Sequence, residues 1–389
     1  MIISIITSKI IMEHVIKFYP VGNADCTLIK LDNGKTIIVD CQILGDLTDG
    51  NGKQVVFDVK SDLLGELKKD SLGRPFVDLF ISTHPHDDHC KGFAENFYSG
   101  DVADYDKDIN KDEIIIEELW ITPRGLKNSL STPATDIRKE AKRRRKLYDD
   151  DVKFQGSTGN YLRIIGYDKD KEFDSRYCYV PGKLVTTVHS DSLSWLDIFI
   201  HAPFKEDVES SKQDDDKNAT SIVVQFGFKI DGCTGYKSRM LMGGDAEYEI
   251  WQHILDNNTD EEKLKWNIFL APHHCSWSFF NESSNKEEIK QSAETILNKQ
   301  IGNYAHIVAS ANEIKNDDNN PPCYEAKQQY IDKLKTGSTH FLNTATHSKV
   351  GGIPQPIIFK INENGKTLKE STTLAGTSSI SNPAPRAGQ

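Results

Sequence analysis

The residues with the clearest chemical potential lie in one short segment, Thr83–His89, which reads THPHDDH. It places three histidines and two aspartates within six residues, directly after an apolar run. Imidazole and carboxylate groups together are ligands that suit Zn²⁺, Mn²⁺ and Fe²⁺. His84 and His86 stand two residues apart, so on an extended segment their side chains point the same way. We therefore predict that this pair binds one metal ion. Asp88 and His89 are expected to turn toward a second ion where a helix begins.

The spacing His84-x-His86-x-Asp88-His89 resembles the HxHxDH signature of the metallo-β-lactamase-fold hydrolases. The rest of the chain suits such a fold, because short β-type runs recur in both halves with helical patterns between them. The resemblance implies an α/β protein of the four-layer αββα sandwich type with a binuclear metal site. It also implies that further ligands come from the ends of later strands.

Three later apolar runs carry residues that can bind metals, in the order that the resemblance implies. They read LDIFIHAP with His201, RMLMGGD with Asp245, and NIFLAPHHCS with His273 and His274. Their apolar, β-type composition predicts a strand in each run. The implied ligands form three groups: His84, His86 and His201 for one ion; Asp88, His89 and His274 for the other; and Asp245 as the bridge between them.

The last histidine ligand is a choice between two neighbours. His274 is favoured, because the residue one further from the strand matches the last histidine of the family. His273 would then lie over the substrate as a hydrogen-bond donor or general acid. The reverse assignment stays open.

Two divalent ions determine the chemistry that such a site can do. Zn²⁺ suits this donor set best, with Mn²⁺ as the alternative. A water held between two ions about 3.5–4 Å apart is deprotonated at neutral pH, and the ions neutralise charge on a scissile phosphoryl or carbonyl oxygen. We expect Asp88, Asp245 and His273 to take part directly in this hydrolysis. Asp87 is either a hydrogen-bond partner of the site or a solvent-facing carboxylate.

Further segments resemble one branch of the family, the metallo-β-lactamase domain of the DNA-uptake competence protein ComEC and its stand-alone relatives. The matching segments are FYPVGNADC at 18–26, KTIIVDC at 35–41, NATS at 218–221, MGGDAE at 242–247 and PHHCS at 272–276. The likeness covers about residues 13–361 and implies phosphodiester substrates, with DNA or RNA first. Asn23-Ala24, Cys275 and Pro321 depart from the branch pattern, which puts the substrate in doubt and not the metal ligands.

Four residues are candidates for contact with the substrate. Asn218 and Ser276 could donate hydrogen bonds to a phosphate oxygen, or they cap a strand and a helix. Arg143 and Arg144 belong to the basic run RKEAKRRRK at 138–146, which would carry positive charge around most of a helix and suit a nucleic-acid backbone. The alternative is a solvated helix balanced by the aspartates at 149–151.

Composition excludes several classes of protein. The 389 residues carry 47 Lys and Arg against 58 Asp and Glu, a formal charge of −11, so the overall field does not steer the chain to nucleic acid. Since no apolar run approaches the roughly 18–20 residues of a membrane helix, no membrane partner is expected. The seven cysteines form no CxxC pair, which suggests reduced thiols and a cytoplasmic location.

The predicted organisation is one hydrolase domain over residues 13–365. An N-terminal extension at 1–12 precedes it, and a tail at 366–389, rich in Ser, Thr, Gly and Pro, is expected to be disordered. The domain carries a basic helical insert at about 124–150 and an acidic loop at about 205–217.

The sequence is compatible with three functions. A phosphodiesterase acting on DNA or RNA needs an open groove with the basic run on its rim. A hydrolase of a small ester, lactone, amide or phosphoester needs a closed pocket, for which the acidic loop is a candidate lid. A non-catalytic metal-bound binding module predicts missing ligands, and it ranks last because all seven expected ligands are present.

Overall fold

The computed structural model describes residues 12–45, 47–127, 131–152, 156–166, 175–214, 217–282, 286, 288–335 and 337–369. Within these ranges the chain forms a mixed α/β fold with two large sheets, two small ones and eight α-helices. The α/β class predicted from the sequence is therefore confirmed. The predicted N-terminal extension, apart from Met12, and the tail from residue 370 lie outside the described residues.

The strands and helices alternate along the chain. In chain order the strands are β1 His14–Phe18, β2 Thr27–Lys30, β3 Thr36–Val39, β4 Lys68–Lys69, β5 Pro75–Ile81, β6 Ile115–Ile121, β7 Tyr161–Ile165, β8 Cys178–Tyr179, β9 Leu184–Val185, β10 Thr187–Val188, β11 Asp191–Ser192, β12 Leu196–Ala202, β13 Val223–Phe228, β14 Ser238–Met242, β15 Ile268–Leu270, β16 His306–Ala309, β17 Phe341–Asn343, β18 Lys349–Val350, β19 Ile353–Pro354, β20 Ile357–Asn362 and β21 Gly365–Leu368. The helices are α1 Val59–Glu66, α2 Phe93–Asn96, α3 Thr132–Asp149, α4 Lys205–Asp214, α5 Tyr248–Asn257, α6 Pro272–Cys275, α7 Gln291–Asn298 and α8 Tyr324–Lys333.

The larger sheet has ten strands in the order β21-β20-β1-β2-β3-β5-β6-β7-β8, with β4 paired to β5. The strands from β3 to β8 along this order run parallel, so their carboxyl ends lie at one edge. The register places Val39 of β3 opposite Ile81 of β5. The residues that follow these two strands are therefore neighbours at that edge.

The second sheet has seven strands in the order β17-β16-β15-β14-β13-β12-β9. Its β14, β15 and β16 run parallel, with Met240 opposite Ile268 and Ile268 opposite His306. The segments that follow these strands also meet at one edge. The three apolar runs predicted as strands are confirmed as β12, β14 and β15.

Apolar clusters hold the sheets and helices together. One cluster joins the two sheets and includes Leu79 of β5 and Phe226 of β13. Because side chains alternate along a strand, the neighbouring Phe80 belongs to a different cluster, which includes residues of α1, α2 and α3. On the second sheet, Leu241 of β14 belongs to a third cluster together with Trp251 of α5.

The basic insert contains the longest helix among the described residues. α3 covers 132–149 and buries an apolar stripe at helical spacing that includes Ala134, Ile137 and Ala141. Arg144 of the basic run is also buried, whereas Lys139, Lys142 and Lys146 are exposed.

The segment from 205 to 217 was predicted to be an acidic loop, and this is wrong for residues 205–214, which form α4. The carboxylate of Asp207 accepts a hydrogen bond of 2.9 Å from the backbone N–H of Phe204 and so caps the start of the helix. At the other end of the chain, β21 continues the larger sheet to Leu368, three residues beyond the predicted end of the domain.

Candidate metal centre

Loops from both sheets converge on one buried cluster of histidines and aspartates. The larger sheet supplies the loop after β5, with residues 82–89, and the turn between β1 and β2, with Asp25. The second sheet supplies Asp245 after β14 and His274 after β15. No single segment could form this cluster, because its members are brought together by the two sheet edges.

Two groups of ligand atoms share one carboxylate. His84, His86 and Asp245 form the first group, and Asp25, His89, Asp245 and His274 form the second. In each group the ligand atoms all lie within 4.8 Å of one another. Asp245 belongs to both groups, as expected of a residue that bridges two ions.

The distances around Asp245 describe the centre of the cluster. Its Oδ2 lies 3.4 Å from Nε2 of His84, and its Oδ1 lies 3.0 Å from Nε2 of His89 and 3.6 Å from Nε2 of His274. Nε2 of His84 is also 3.0 Å from Nδ1 of His86. The carboxylate therefore lies between imidazoles from two sides.

The donor set fits a divalent cation, and two orphaned atoms support the fit. Nε2 of His89 and Oδ1 of Asp245 are buried, and within the described residues neither forms a hydrogen bond, although the two atoms are 3.0 Å apart. A buried polar atom without a partner costs about 1–3 kcal/mol. A metal ion between these atoms would satisfy both of them, and histidine with aspartate is a typical ligand set for zinc.

Hydrogen bonds fix the orientation of two histidines. Oδ2 of Asp40 lies 2.8 Å from Nδ1 of His89 and accepts a hydrogen bond from it, so Nε2 is the nitrogen that could bind a metal ion. The backbone N–H and the hydroxyl of Thr83 donate to the same carboxylate at 2.7 and 2.6 Å. Nδ1 of His274 likewise donates to the carbonyl oxygen of Ser310 at 3.1 Å. Partners of this kind orient histidine ligands in known metal sites.

The backbone around the histidine pair is strained. His273, His274 and Cys275 have φ values of 50°, 52° and 66°, in the left-handed region that non-glycine residues rarely adopt. The N–H of His273 donates to the carbonyl of Gly244 at 3.0 Å, which ties this turn to the loop carrying Asp245. At Gly244, with φ of +50°, a Cβ would lie only 2.6 Å from the hydroxyl oxygen of Thr83. Glycine is required there for the two loops to approach.

The two histidines of the first group are in the protonation state that binds a metal ion. Burial, together with the neighbouring His84, lowers the pKa of His86 to about 4. Burial and the neighbouring His89 also lower the pKa of His84. Both imidazoles are therefore neutral at pH 7, which is the form that binds metals.

The second group is held together by charge. Burial alone would lower the pKa of His89, but the carboxylates of Asp245 and Asp40 raise it well above its usual value. Burial would raise the pKa of Asp245, yet the surrounding histidines lower it well below its usual range. Burial raises the pKa of Asp25 to about 6, against the effect of His274 and His89.

His201 was predicted to be a ligand, and the structure places it elsewhere. It is the extra residue of a β-bulge, because Ile200 pairs with Val224 while Ala202 pairs with Val223. Its Nε2–H donates to the carbonyl of Lys263 at 2.9 Å, and it belongs to neither ligand group.

Asp25 is a candidate ligand that was not predicted from the sequence. It appears in the predicted turn FYPVGNADC, but only as part of a resemblance. Its burial, with 3% exposure, and its contacts of about 4 Å to His89 and His274 come from the pairing of β1 with β2. The one available signal was an aspartate in a turn with a single other polar side chain, that of Asn23.

Asp88 lies at the outer side of the second group. Its Oδ2 is 3.1 Å from Nε2 of His274, and its side chain is 35% exposed. It is close enough to contact a second ion or its water, although it is not among the four residues of that group.

His273 faces the carboxylate of Asp245 from the solvent side. Its Nε2 is 3.6 Å from Oδ2 of Asp245, and its Nδ1 lies 3.1 Å from the hydroxyl of Ser278 and 3.5 Å from Oε1 of Glu247. The side chain is 21% exposed, whereas that of His274 is 1% exposed. Between the two neighbours, the grouping of ligand atoms favours His274 as the ligand.

The two polar residues that were predicted to contact the substrate lie close to His273. Asn218 donates from Nδ2 to Oε1 of Glu247 at 3.2 Å. Ser276 accepts a hydrogen bond from the N–H of Ser278 and donates to Oδ1 of Asn320 at 2.9 Å. Ser276 is therefore a cap of the short helix that follows, which is the alternative stated for it above.

Within the basic run, Arg144 stabilises the fold and does not form a phosphate-binding surface. This side chain is 1% exposed and forms an ion pair of 2.7 Å with Glu140 and hydrogen bonds of 2.9 Å to the carbonyls of Tyr161 and Ile116. Arg143 is also paired with Glu140, at 2.7 Å. The predicted contact of Arg144 with nucleic acid is therefore wrong, because burial makes it inaccessible.

No helix in the described part of the chain is long and apolar enough to cross a membrane. Comparison of the chain with protein-family models and with curated proteins found no match.

Proposed function

We propose that this protein is a hydrolase that uses two divalent metal ions, and that it acts on phosphodiesters of DNA or RNA. The observation that carries the proposal is the pair of buried ligand groups that share Asp245. The layers described above support a four-layer sandwich of the metallo-β-lactamase type: two sheets share one core, and each has helices on its other face.

The ligand sets follow from the geometry. His84, His86 and Asp245 would hold one ion, and Asp25, His89, His274 and Asp245 the other, with Zn²⁺ favoured and Mn²⁺ as the alternative. When bound, the two ions supply a hydroxide nucleophile at neutral pH and neutralise charge on the phosphoryl oxygen.

The chain itself orients the groups and moves the proton. Asp40 and Ser310 hold the tautomers of His89 and His274. Asp88 lies at the exposed side of the cluster, where its carboxylate accepts a hydrogen bond from an attacking water. His273 lies opposite with its Nε2 toward the cluster, so that it donates a proton to the departing alkoxide oxygen.

The second candidate is a hydrolase of a small ester, lactone, amide or phosphoester. It is favoured by the burial of Arg144 and the pairing of Arg143, because these contacts remove two cations from the surface that would bind a nucleic-acid backbone. A non-catalytic metal-bound module remains the weakest candidate, since both ligand groups keep at least three residues without His201.

The experiment that tests the proposal is cleavage of labelled single- and double-stranded DNA and RNA by the chain loaded with Zn²⁺ or Mn²⁺. Asp88→Ala serves as the inactive variant, and His201→Gln serves as the control. We expect cleavage by the wild type and by His201→Gln but not by Asp88→Ala. Two bound metals without cleavage of any nucleic acid would contradict the phosphodiesterase and favour the small ester or phosphoester.

A further inference from the structure

Three segments that build the metal centre also line a separate cavity of about 480 Å³. Gly22 and Asn23 belong to the turn that leads to Asp25. Gln42 follows two residues after Asp40, which holds His89. Asn312 follows two residues after Ser310, whose carbonyl holds His274. The cavity is therefore bounded by the same loops as the ligand groups.

The walls of the cavity are apolar and uncharged. They include Val21, Val55, Val56, Phe57 and Ala345, and none of the described residues that line it carries a charge. Val55 is 45% exposed, so the cavity opens to solvent beside this side chain. An ionised group placed there would lose its hydration without gaining a counter-charge, which excludes a phosphate or carboxylate as the occupant.

Primary amides provide the polar part of the lining. Asn23 has both amide atoms engaged, with the N–H of Asn312 at 2.8 Å and the carbonyl of Pro321 at 3.2 Å. Gln42 donates from Nε2 to the carbonyl of Val21 at 2.6 Å. The side-chain amide of Asn312, in contrast, forms no hydrogen bond within the described residues and is exposed. It therefore offers both a donor and an acceptor to a ligand.

Gly22 leaves space for this amide. Its φ is +84°, and a Cβ there would lie 3.3 Å from Oδ1 of Asn312. The close approach of the amide to the backbone of the turn thus depends on the absence of a side chain.

We propose that this cavity receives the nucleobase next to the scissile phosphodiester. The proposal rests on the proposed function and specifies its substrate as a nucleotide. A base has apolar faces that suit the valines and Phe57, and its edge carries donors and acceptors that match the amide of Asn312. The volume of about 480 Å³ lies in the usual range for a small-ligand site.

The test compares two chromogenic phosphodiesters that differ only in the base-bearing part. These are thymidine 5′-(p-nitrophenyl phosphate) and methyl p-nitrophenyl phosphate, offered to the metal-loaded full chain. We expect the KM of the thymidine ester to be lower by about tenfold or more, as stacking and edge contacts of one base would give. Val55→Trp should remove this preference by filling the mouth of the cavity and leave the KM of the methyl ester unchanged.

The control variant is Leu72→Trp, at a side chain that is 55% exposed and does not line the cavity. It should keep the preference for the thymidine ester. Equal KM values for both esters, unaffected by Val55→Trp, would overturn the base site while leaving the hydrolase intact. An equally low KM for hexyl p-nitrophenyl phosphate would overturn it in favour of an aliphatic chain.

A binding measurement separates failure of this inference from failure of the proposed function. If neither ester is hydrolysed, the phosphodiesterase is contradicted, and equilibrium dialysis still tests the cavity. Thymidine 5′-monophosphate should bind at least about tenfold more tightly than ribose 5-phosphate, and Val55→Trp should abolish the difference. Equal binding of the two probes to the wild type would contradict the base site directly.

Discussion

At the scale of single residues, the centre depends on which side chain points into the cluster. Asp25 and His201 illustrate this dependence, because both are buried and only one points into the cluster. Asp25 is 3% exposed and lies about 4 Å from two histidines of the second group. His201 is also buried, but its imidazole is committed to the carbonyl of Lys263. Burial alone therefore does not identify a ligand, and the direction of the side chain does.

This contrast gives a matched pair of variants. Asp25→Asn removes the charge of a ligand without changing its shape, so we expect the affinity for one of the two ions to fall by roughly 10- to 100-fold or more. His201→Gln should keep both ions, because the residue lies outside the ligand groups. Metal analysis after dialysis against a weak chelator measures the difference. Loss of an ion from His201→Gln with retention by Asp25→Asn would reverse the assignment.

At the scale of elements, the strands and their order along the chain could be predicted, and much of the site with them. His84, His86, His89, Asp245 and His274 all follow strand ends that the apolar runs indicated. What could not be predicted comes from pairing between distant segments. The bulge in β12 changes the direction of the His201 side chain. This bulge can be recognised only from the pairing register of β12 with β13. A local pattern does not contain this information.

The helix α3 shows that the number of basic residues in a run does not determine the charge of its exposed surface. Its sequence indicates a cationic surface, but tertiary packing buries Arg144 against the carbonyls beside β6 and β7 and pairs it with Glu140. The helical spacing of Ile137, Ala141 and Tyr148 places Arg144 in line with the buried stripe, which the composition of the run does not reveal. The functional meaning of a basic helix therefore depends on which face packs against the sheet.

This packing predicts unequal effects of two substitutions in α3. Arg144→Met removes one of the two arginine partners of the buried Glu140, which keeps Arg143, and it takes the donor from the carbonyls of Tyr161 and Ile116. We therefore expect the free energy of unfolding to fall by about 1–3 kcal/mol. Lys146→Met removes a surface ion pair with Asp150 and should change it by less than about 1 kcal/mol. Chemical denaturation of both variants measures the difference. Equal, small effects would mean that Arg144 is solvated.

At the scale of the whole molecule, side-chain contacts join elements that are distant along the chain. One such contact is made by the turn of the β10–β11 hairpin, where Nε2 of His189 lies 3.1 Å from Oδ1 of Asp78 in the larger sheet. Lys35 also faces this carboxylate, at 3.4 Å, and Glu117 acts on the imidazole. The pair ties the hairpin to the edge opposite the metal loops.

This ion pair predicts a pH dependence of stability. Burial would lower the pKa of His189, but Asp78 raises it above the unfolded value of 6.5. The stabilisation is therefore complete below pH 6.5 and is lost as the pH rises through the folded pKa. Burial would raise the pKa of Asp78, yet His189 and Thr36 lower it below 3.8, so the contribution is also lost as the pH falls through that lowered value.

The measurement is the difference in unfolding free energy between the wild type and His189→Asn, with chelator present throughout. Asparagine is chosen because the backbone there has φ of 38° and asparagine tolerates this region. The difference should be largest between about pH 4 and pH 6.5 and should shrink toward pH 9. A difference that grows with rising pH would contradict the sign of this linkage.

The candidate metal centre joins the two large sheets, because Asp25, His84, His86 and His89 come from the loops of one and Asp245 and His274 from the loops of the other. The most direct test is the number of ions per chain in the wild type and in Asp245→Asn, together with the melting temperature before and after chelation. We predict two ions in the wild type, loss of tight binding at both groups in Asp245→Asn, and a lower melting temperature after chelation only in the wild type. One ion in the wild type, or two retained by Asp245→Asn, would contradict a shared bridging carboxylate.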